Sequence, residues 1–318
     1  MGRNHVLAID LGGTKLAVAL GTRAGKLLRR KTVSVECSSA LAPVRQIVSL
    51  AKEVCRDSKV GATVAAAGVA VPGLVRRDRT VWAPNLRGWQ RMPLERRLKS
   101  ALGVPVTVES DRNAAVLGET WCGAARGKTD AIVLMLGTGI GAGILSGGRL
   151  IRGAHELSGC AGWMVVADAY DAESQRVGQL ESLAAGPGIA AAAKKELARG
   201  IGGLLEGLPE ESINAYEVAE AARRGDVLSI EVFLEAGRVL GHAVANLVSL
   251  FDPEIVVIGG GMAGASDLFL SPLRKEASER AQPIAAKKVK IVTSTLGSDA
   301  NLLGVARLAW ELREWQRN

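Results

Sequence analysis

Two glycine-rich turns, each set between apolar runs, constrain this sequence more than any other feature. The first follows the apolar run 5–10 and reads Asp10-Leu11-Gly12-Gly13-Thr14-Lys15 before a second run, 16–20. The second follows 131–136 and reads Gly137-Thr138-Gly139-Ile140-Gly141-Ala142-Gly143, with Ile144-Leu145 after it. Apolar runs punctuated by turn residues predict strands. A turn at 21–25 and a strand at 27–35 extend the first set, and a Gly147-Gly148 turn with Leu150 extends the second. Each set is a strand meander rather than a βαβ opening. A meander followed by alternating helices and strands, occurring twice, predicts two related α/β domains facing a cleft.

The remaining pattern fills in both halves. Helical spacing of Val44, Ile47, Val48, Leu50, Ala51 and Val54 marks a helix at 40–57. An apolar strand at 60–71 ends at Pro72-Gly73, a short helix covers 93–102, a strand 104–109 and a helix 111–122. In the second half, helices are expected at 186–199, 214–223 and 226–250. A buried strand at 254–258 ends at Gly259-Gly260-Gly261; a strand at 288–293 and a helix at 300–315 close the pattern. A chain of 318 residues, 48% hydrophobic, can build two real cores. The expected division is 1–119 plus 300–318 against 120–299. Only 3% of residues are aromatic, so Ala, Val, Leu and Ile must supply the packing.

Charge and cysteine content exclude several classes. The net charge is +8, but the basic residues are scattered, with no basic tail and no basic stretch interleaved with aromatics. A solvated face is favoured over a nucleic-acid groove. No charge-free apolar run reaches 18 residues and no signal-type leader opens the sequence, so no membrane contact is expected and the cytoplasm is the expected location. Cys37, Cys55, Cys122 and Cys160 fit no CxxC spacing, which argues against a disulfide framework or a cysteine zinc site.

The candidate chemistry sits at the turns. Glycines 12 and 13 let backbone N–H groups approach an anion, and Thr14 and Lys15 add donors. Asp10 has the chemistry to hold Mg²⁺ through water. A tight hairpin without ligand is the alternative for this turn. The second turn fails the dinucleotide pattern because Ala142 stands where GxGxxG needs glycine, and a strand rather than a helix follows. A phosphate-binding hairpin fits better. Residues 123–129, GAARGKT, fall one short of a phosphate loop and read as a helix-ending turn. Glu109-Ser110-Asp111-Arg112-Asn113 places two acids beyond a strand end, where one acid can serve as general base in phosphoryl transfer. For Asp111 the competing role is a helix N-cap. The loop Pro84-Asn85-Leu86-Arg87-Gly88-Trp89 carries polar and aromatic groups suited to a polar ligand.

Taken together, the segments AIDLGGTK, GVAVPGLV, APNLRGW, PVTVESDRNAAVLGE, LGTGIGAGI, VANLVSLFDPEIVVIGGGMA and LGSDANLLGVARLA resemble, in order and over essentially the whole chain, the ROK family. That family (repressor, open reading frame, kinase) belongs to the sugar-kinase, actin and chaperone-ATPase superfamily. The resemblance implies an actin-like, ribonuclease H-like fold with ATP and Mg²⁺ in the interdomain cleft, and a homodimer. Phosphates would lie on the turns 10–15 and 137–143, and Gly259, Gly260 and Gly261 against adenosine, which favours ATP over polyphosphate. Asp111 would take the proton from a sugar hydroxyl, usually the 6-hydroxyl. Gly73, Asn85 and Glu181 would contact the sugar. Repressor members carry an N-terminal helix-turn-helix, for which the strand motif near residue 6 leaves no room.

The sugar side departs from the family pattern. Ser110 replaces the usual Asn before the catalytic Asp. The Gly-Glu-x-Gly-His motif reads Gly159-Cys160-Ala161-Gly162-Trp163. Its Glu, which grips sugar hydroxyls, is Cys160, and its His, also a zinc ligand in the family, is Trp163. The companion Cys-x-Cys-Gly-x-x-Gly-Cys segment falls in 168–182, which holds no cysteine and keeps only Glu181, so no zinc site is expected. Glu156, beside His155, is expected to face solvent. Phosphate motifs are intact while sugar motifs are altered at Ser110, Cys160 and Trp163. This asymmetry points to retained phosphoryl transfer onto a modified acceptor: an amino, acetamido or deoxy sugar, or another polyol. The alternative is a non-catalytic nucleotide and sugar sensor.

Overall fold

The computed structural model describes residues 4–56 and 64–315. Strands β1 (His5–Leu11), β2 (Lys15–Gly21) and β3 (Leu27–Ser34) form the antiparallel meander. After helix α1 (Ala42–Arg56), strand β4 (Val64–Val71) returns parallel to β1. Residues 60–63 of the predicted strand lie outside the described residues. A small hairpin, β5 (Leu74–Val75) and β6 (Val81–Trp82), precedes α2 (Leu94–Leu102), and β7 (Val106–Ser110) pairs parallel with β4. The sheet order is β3-β2-β1-β4-β7.

Helix α3 (Asp111–Cys122) leads into the second half. There β8 (Ala131–Leu136), β9 (Ile140–Ser146) and β10 (Arg149–Leu150) repeat the meander. Five helices follow: α4 (Ala172–Val177), α5 (Gln179–Ala184), α6 (Gly186–Ala198), α7 (Ala215–Arg223) and α8 (Val227–Phe251). Strand β11 (Ile255–Gly259), helices α9 (Ser266–Arg280) and α10 (Pro283–Lys288), strand β12 (Lys290–Thr293) and helix α11 (Ala300–Trp315) complete the chain. The second sheet has the order β10-β9-β8-β11-β12, with β8, β11 and β12 parallel. Position for position this is the order of the first sheet, as the paired turns predict.

Burial explains the strand sequences. Strand β4 reads VAAAGVAV and is buried from its second residue on, because helices cover both faces of the sheet. On one face, Ile9, Leu16 and Val18 pack with Ile47 and Val54 of α1 and Leu94 and Leu98 of α2. On the other, Val6, Ala8, Ala17 and Ala66 meet Leu302, Val305 and Ala306 of α11. The second sheet sets Val133, Leu145 and Val257 against Ala115 and Val116 of α3 on one face. Its other face packs on the helices of the second half, with Phe233 and Phe269 at the centre.

Helices α3 and α11 meet between the sheets through glycine. A Cβ on Gly304 would lie 1.8 Å from the Ala114 carbonyl oxygen, and one on Gly118 would lie 2.1 Å from that of Ala300. Several features differ from the sequence reading, which names neither the β5–β6 hairpin nor helices α4, α5, α9 and α10. Strand β9 starts at Ile140, so the second turn spans only 137–139 and Gly141 and Gly143 lie within the strand. Gly143 is required there because a Cβ would lie 2.0 Å from the Arg112 carbonyl oxygen. Helix α9 was not legible: Pro272 interrupts its pattern, and only Phe269, Leu273 and Ala277 are buried. Among the described residues no helix is long and apolar enough to cross a membrane.

Candidate active site

The parallel register places Asp10 of β1 beside Ala70 of β4, and Ala70 beside Glu109 of β7. The acids therefore gather where these strands end and α3 begins. Asp10 is half-buried near the end of β1, and its Oδ1 accepts a 3.3 Å hydrogen bond from Asn301 of α11. Burial, and then the charge of Asp111, push its carboxyl up to about 7. Burial also raises Asp111, opposed by the Arg112 backbone N–H, which donates to Asp111 Oδ1 at 2.8 Å, and by the Arg112 guanidinium. A carboxyl whose ionisation a neighbouring carboxylate disfavours offers a seat for a cation. Around them, Ser110 Oγ, Asn113 Oδ1 and Asn301 Oδ1 are buried with no hydrogen-bond partner among the described residues. Such atoms mark a place finished by a polar ligand or water.

The geometry separates the two candidate acids. Glu109 is committed: its Oε1 accepts from Ser110 N and Asn113 Nδ2, both at 3.0 Å, and its Oε2 from Arg152 at 2.8 Å. Among the described residues Asp111 has no such partner beyond the Arg112 N–H. It is also not the helix cap. Ser110 occupies that position in extended geometry, without a side-chain cap bond, and Asp111 is the first helical residue.

Arg112 was missed by sequence reasoning, which has no signal for it. Its Nε and Nη2 donate to the carbonyls of Ser158 (3.0 Å) and Glu156 (3.2 Å), and its Nη1 reaches the Gly73 carbonyl at 3.4 Å. It thus ties the Gly73 turn to the loop that carries Cys160. The expectation that Glu156 faces solvent is corrected. Its side chain is only 16% exposed and its carboxylate lies 3.4 Å from Arg77, while the backbone adopts φ 61°. Arg112 holds its carbonyl and Arg77 supplies the counter-charge.

The first turn begins at Asp10, and the second lies against Glu181 and Gly186. In the first, Gly12 N donates to Lys15 O at 2.8 Å and Gly13 looks toward the Asn85 carboxamide; Thr14 and Lys15 are exposed. In the second, Gly137 N donates to Gly139 O (3.0 Å) and Gly137 O accepts from Gly186 N of α6 (2.9 Å). Gly260, with φ 86°, lies against Leu136 so closely that a Cβ would come within 2.2 Å of its carbonyl oxygen. The Gly259–Gly261 turn and the 137–139 turn are therefore neighbours.

A cavity of about 360 Å³ joins Asn85, Thr138, Gly139 and Glu181. Glu181 Oε2 accepts from Ile140 N at 2.8 Å, which couples α5 to the second turn, and burial raises its carboxyl. Ser110, Cys160 and Trp163 do not line this cavity. Cys160 precedes a one-turn 3₁₀ helix, Ala161–Trp163, and Trp163 is 56% exposed.

The residues present do not fit the family's zinc. Trp163 offers no ligand atom, and among the described residues no group of three or more His, Cys, Asp and Glu is placed to hold a metal. Asp171 instead caps α4, its Oδ1 accepting from Ser174 N at 2.8 Å.

Known proteins share both sequence and fold. The profile of the ROK family matches residues 6–311. A glucokinase of Streptomyces coelicolor is 31% identical over 319 residues, covering 96% of this chain and 97% of that protein. The bifunctional enzyme NanE/NanK of Brucella suis is 37% identical over 309 residues, covering 96% of this chain and 53% of that protein. The crystal structure of a ROK family glucokinase from Streptomyces griseus, in complex with glucose and AMPPNP, superposes with a TM-score of 0.78 at 30% identity. That match covers 96% of this chain and 99% of the other. With the doubled sheet order and the paired turns already in place, these matches establish that the chain belongs to the ROK family and has its actin-like ATPase and sugar-kinase fold.

Proposed function

We propose that this chain is an ATP-dependent sugar kinase that phosphorylates a hydroxyl, the 6-hydroxyl, of a hexose or modified hexose. One observation carries the reading: the Asp111 carboxyl, raised by burial and close enough to Asp10 to raise it as well, has no ion-pair partner among the described residues. Its likeness to glucokinases, one of them solved with glucose and AMPPNP, supports the substrate class.

In this reading the turns holding Gly12, Gly13, Thr14, Lys15, Gly137, Thr138 and Gly139 bind the phosphates, and Gly259–Gly261 borders the adenosine. Mg²⁺, held through water by Asp10, would screen the phosphate charge. Asp111 accepts the proton of the sugar hydroxyl as its oxygen bonds to the γ-phosphorus; the bond from that phosphorus to the bridging oxygen breaks and ADP leaves. Asn85 and Glu181, which line the cavity, contact the acceptor, whereas Gly73, Ser110, Cys160 and Trp163 lie outside that lining. The placement of α11 on the first sheet supports a domain division of 1–119 plus 300–318 against 120–299.

The test is ADP release with Mg-ATP over a panel of hexoses, amino, N-acetyl and deoxy sugars. Asp111→Asn should lower kcat by about 10²–10⁴-fold, the usual worth of a general base, while calorimetry still detects ATP binding. The replaced Cys160 and Trp163 favour a second reading, a sensor without turnover. ATP binding with no turnover on any acceptor would establish that one.

A further inference from the structure

The segment that would surround the family's zinc is held in this chain by a carboxamide. The pattern Cys-x-Cys-Gly-x-x-Gly-Cys has one anchor here, because Gly178 is the only glycine of 168–182. That glycine is obligatory: φ is 99°, and a Cβ would lie 2.3 Å from the Gly162 carbonyl oxygen. The register then puts the three cysteine positions on Ala172, Ser174 and Gln179.

Gln179 is fully buried. Its Oε1 accepts from Val166 N (2.6 Å) and Ala167 N (3.0 Å). Its Nε2 donates to Ala167 O (2.8 Å) and Ala169 O (2.5 Å). Both acceptor sites and both N–H groups of the carboxamide are filled. The partners lie in a stretch without helix or strand, whose backbone groups must find bonds elsewhere. The second vacated position joins the same network. Ser174 Oγ lies 3.2 Å from Ser182 Oγ, which donates to Gln179 O at 2.9 Å. His242 of α8 adds one contact, its Nδ1 lying 3.2 Å from Val166 O. Two residues past Gln179 on the same helix, Glu181 bonds Ile140 N and lines the cavity with Asn85 and Thr138.

We propose that Gln179 is the positioning residue for Glu181: its four hydrogen bonds do the work that zinc does in the family, so the acceptor wall of this cleft is built without a metal. The kinetic part of the test rests on the sugar-kinase reading; the rest does not. On the full chain, zinc content is measured, and stability and turnover are followed after chelation and return of Mg²⁺. Neither should change. Gln179→Ala should speed amide exchange at 164–170 and raise the KM for sugar about tenfold or more, as expected for a displaced binding group, with the KM for ATP unchanged. A role confined to stability would lower the melting temperature and leave both KM values alone.

Gln179→Glu guards against a variant that does not fold. It keeps the acceptors and loses both donors, and protonation restores one. Its protection at 164–170, taken relative to the intrinsic exchange rate at each pH and to the unsubstituted protein, should therefore rise as pH falls. Stoichiometric zinc whose removal loosens 164–170 would overturn the proposal. So would Gln179→Ala with unchanged exchange and unchanged sugar KM. If no sugar is turned over, zinc content and exchange still decide the role of Gln179, and only the kinase reading falls.

Discussion

Asp10 and Glu109 lie at the same end of parallel strands β1 and β7, with β4 between them, yet one is left unneutralised and the other is fully paired. Each predicts a measurable difference. Asp10 has an ordinary value of 3.8 and a folded value of about 7, so between these the folded state binds more protons than the unfolded one. In the metal-free protein its contribution to stability is therefore full below about pH 4 and lost as pH rises through about 7. Urea titrations across that range should show stability falling with pH, and Asp10→Asn should flatten the slope. Arg152→Ala strands the Glu109 carboxylate, whose side chain is 7% exposed. Because Arg152 is itself 43% exposed, the expected loss is about 1–2 kcal/mol, below that of a fully buried pair. The sequence showed both acids but not this distinction. It depends on Arg152, 43 residues away, and on Asn301 from the far end of the chain. Local pattern carries no information about such partners, which is also why Arg112 and Gln179 went unread.

At the scale of elements, the strands and their turns were legible because period and punctuation are local properties. The limits were physical too. Helix α9 hides behind Pro272, and the second turn was read too long because Gly141 and Gly143 look like turn residues. In Gly143 the glycine serves the approach of α3, not a bend. The same logic at the α3–α11 crossing gives a test. Gly304→Ala should destabilise by at least about 2 kcal/mol through overpacking, even after roughly 1 kcal/mol of gained helix propensity, because the obstructing atom is backbone. Gly264→Ala, with nothing within 4 Å of the new methyl, should stay within about 0.5 kcal/mol. Chemical denaturation of the pair separates crowding from any general intolerance of alanine.

The whole molecule is two sheets of the same strand order, with α3 and α11 packed between them and the candidate site at the strand ends. Residues from both halves contribute to that site, so acceptor and nucleotide together should draw the halves closer. Small-angle scattering should show a smaller radius of gyration with both ligands than with either alone. The location of α11 also sets an order of events during synthesis. It covers Val6, Ala8, Ala17 and Ala66 of the first sheet, yet Ala300 leaves the ribosome about 190 residues after Ser110 ends β7. At about 5–20 residues per second that interval is on the order of 10–40 s. Throughout it, that apolar face of the earliest-made sheet has only Ala114 and Trp121 of α3 against it. The half that is translated first is the half completed last, and a ribosome stalled before residue 300 would hold out a sticky, unfinished sheet beside a second half already able to close.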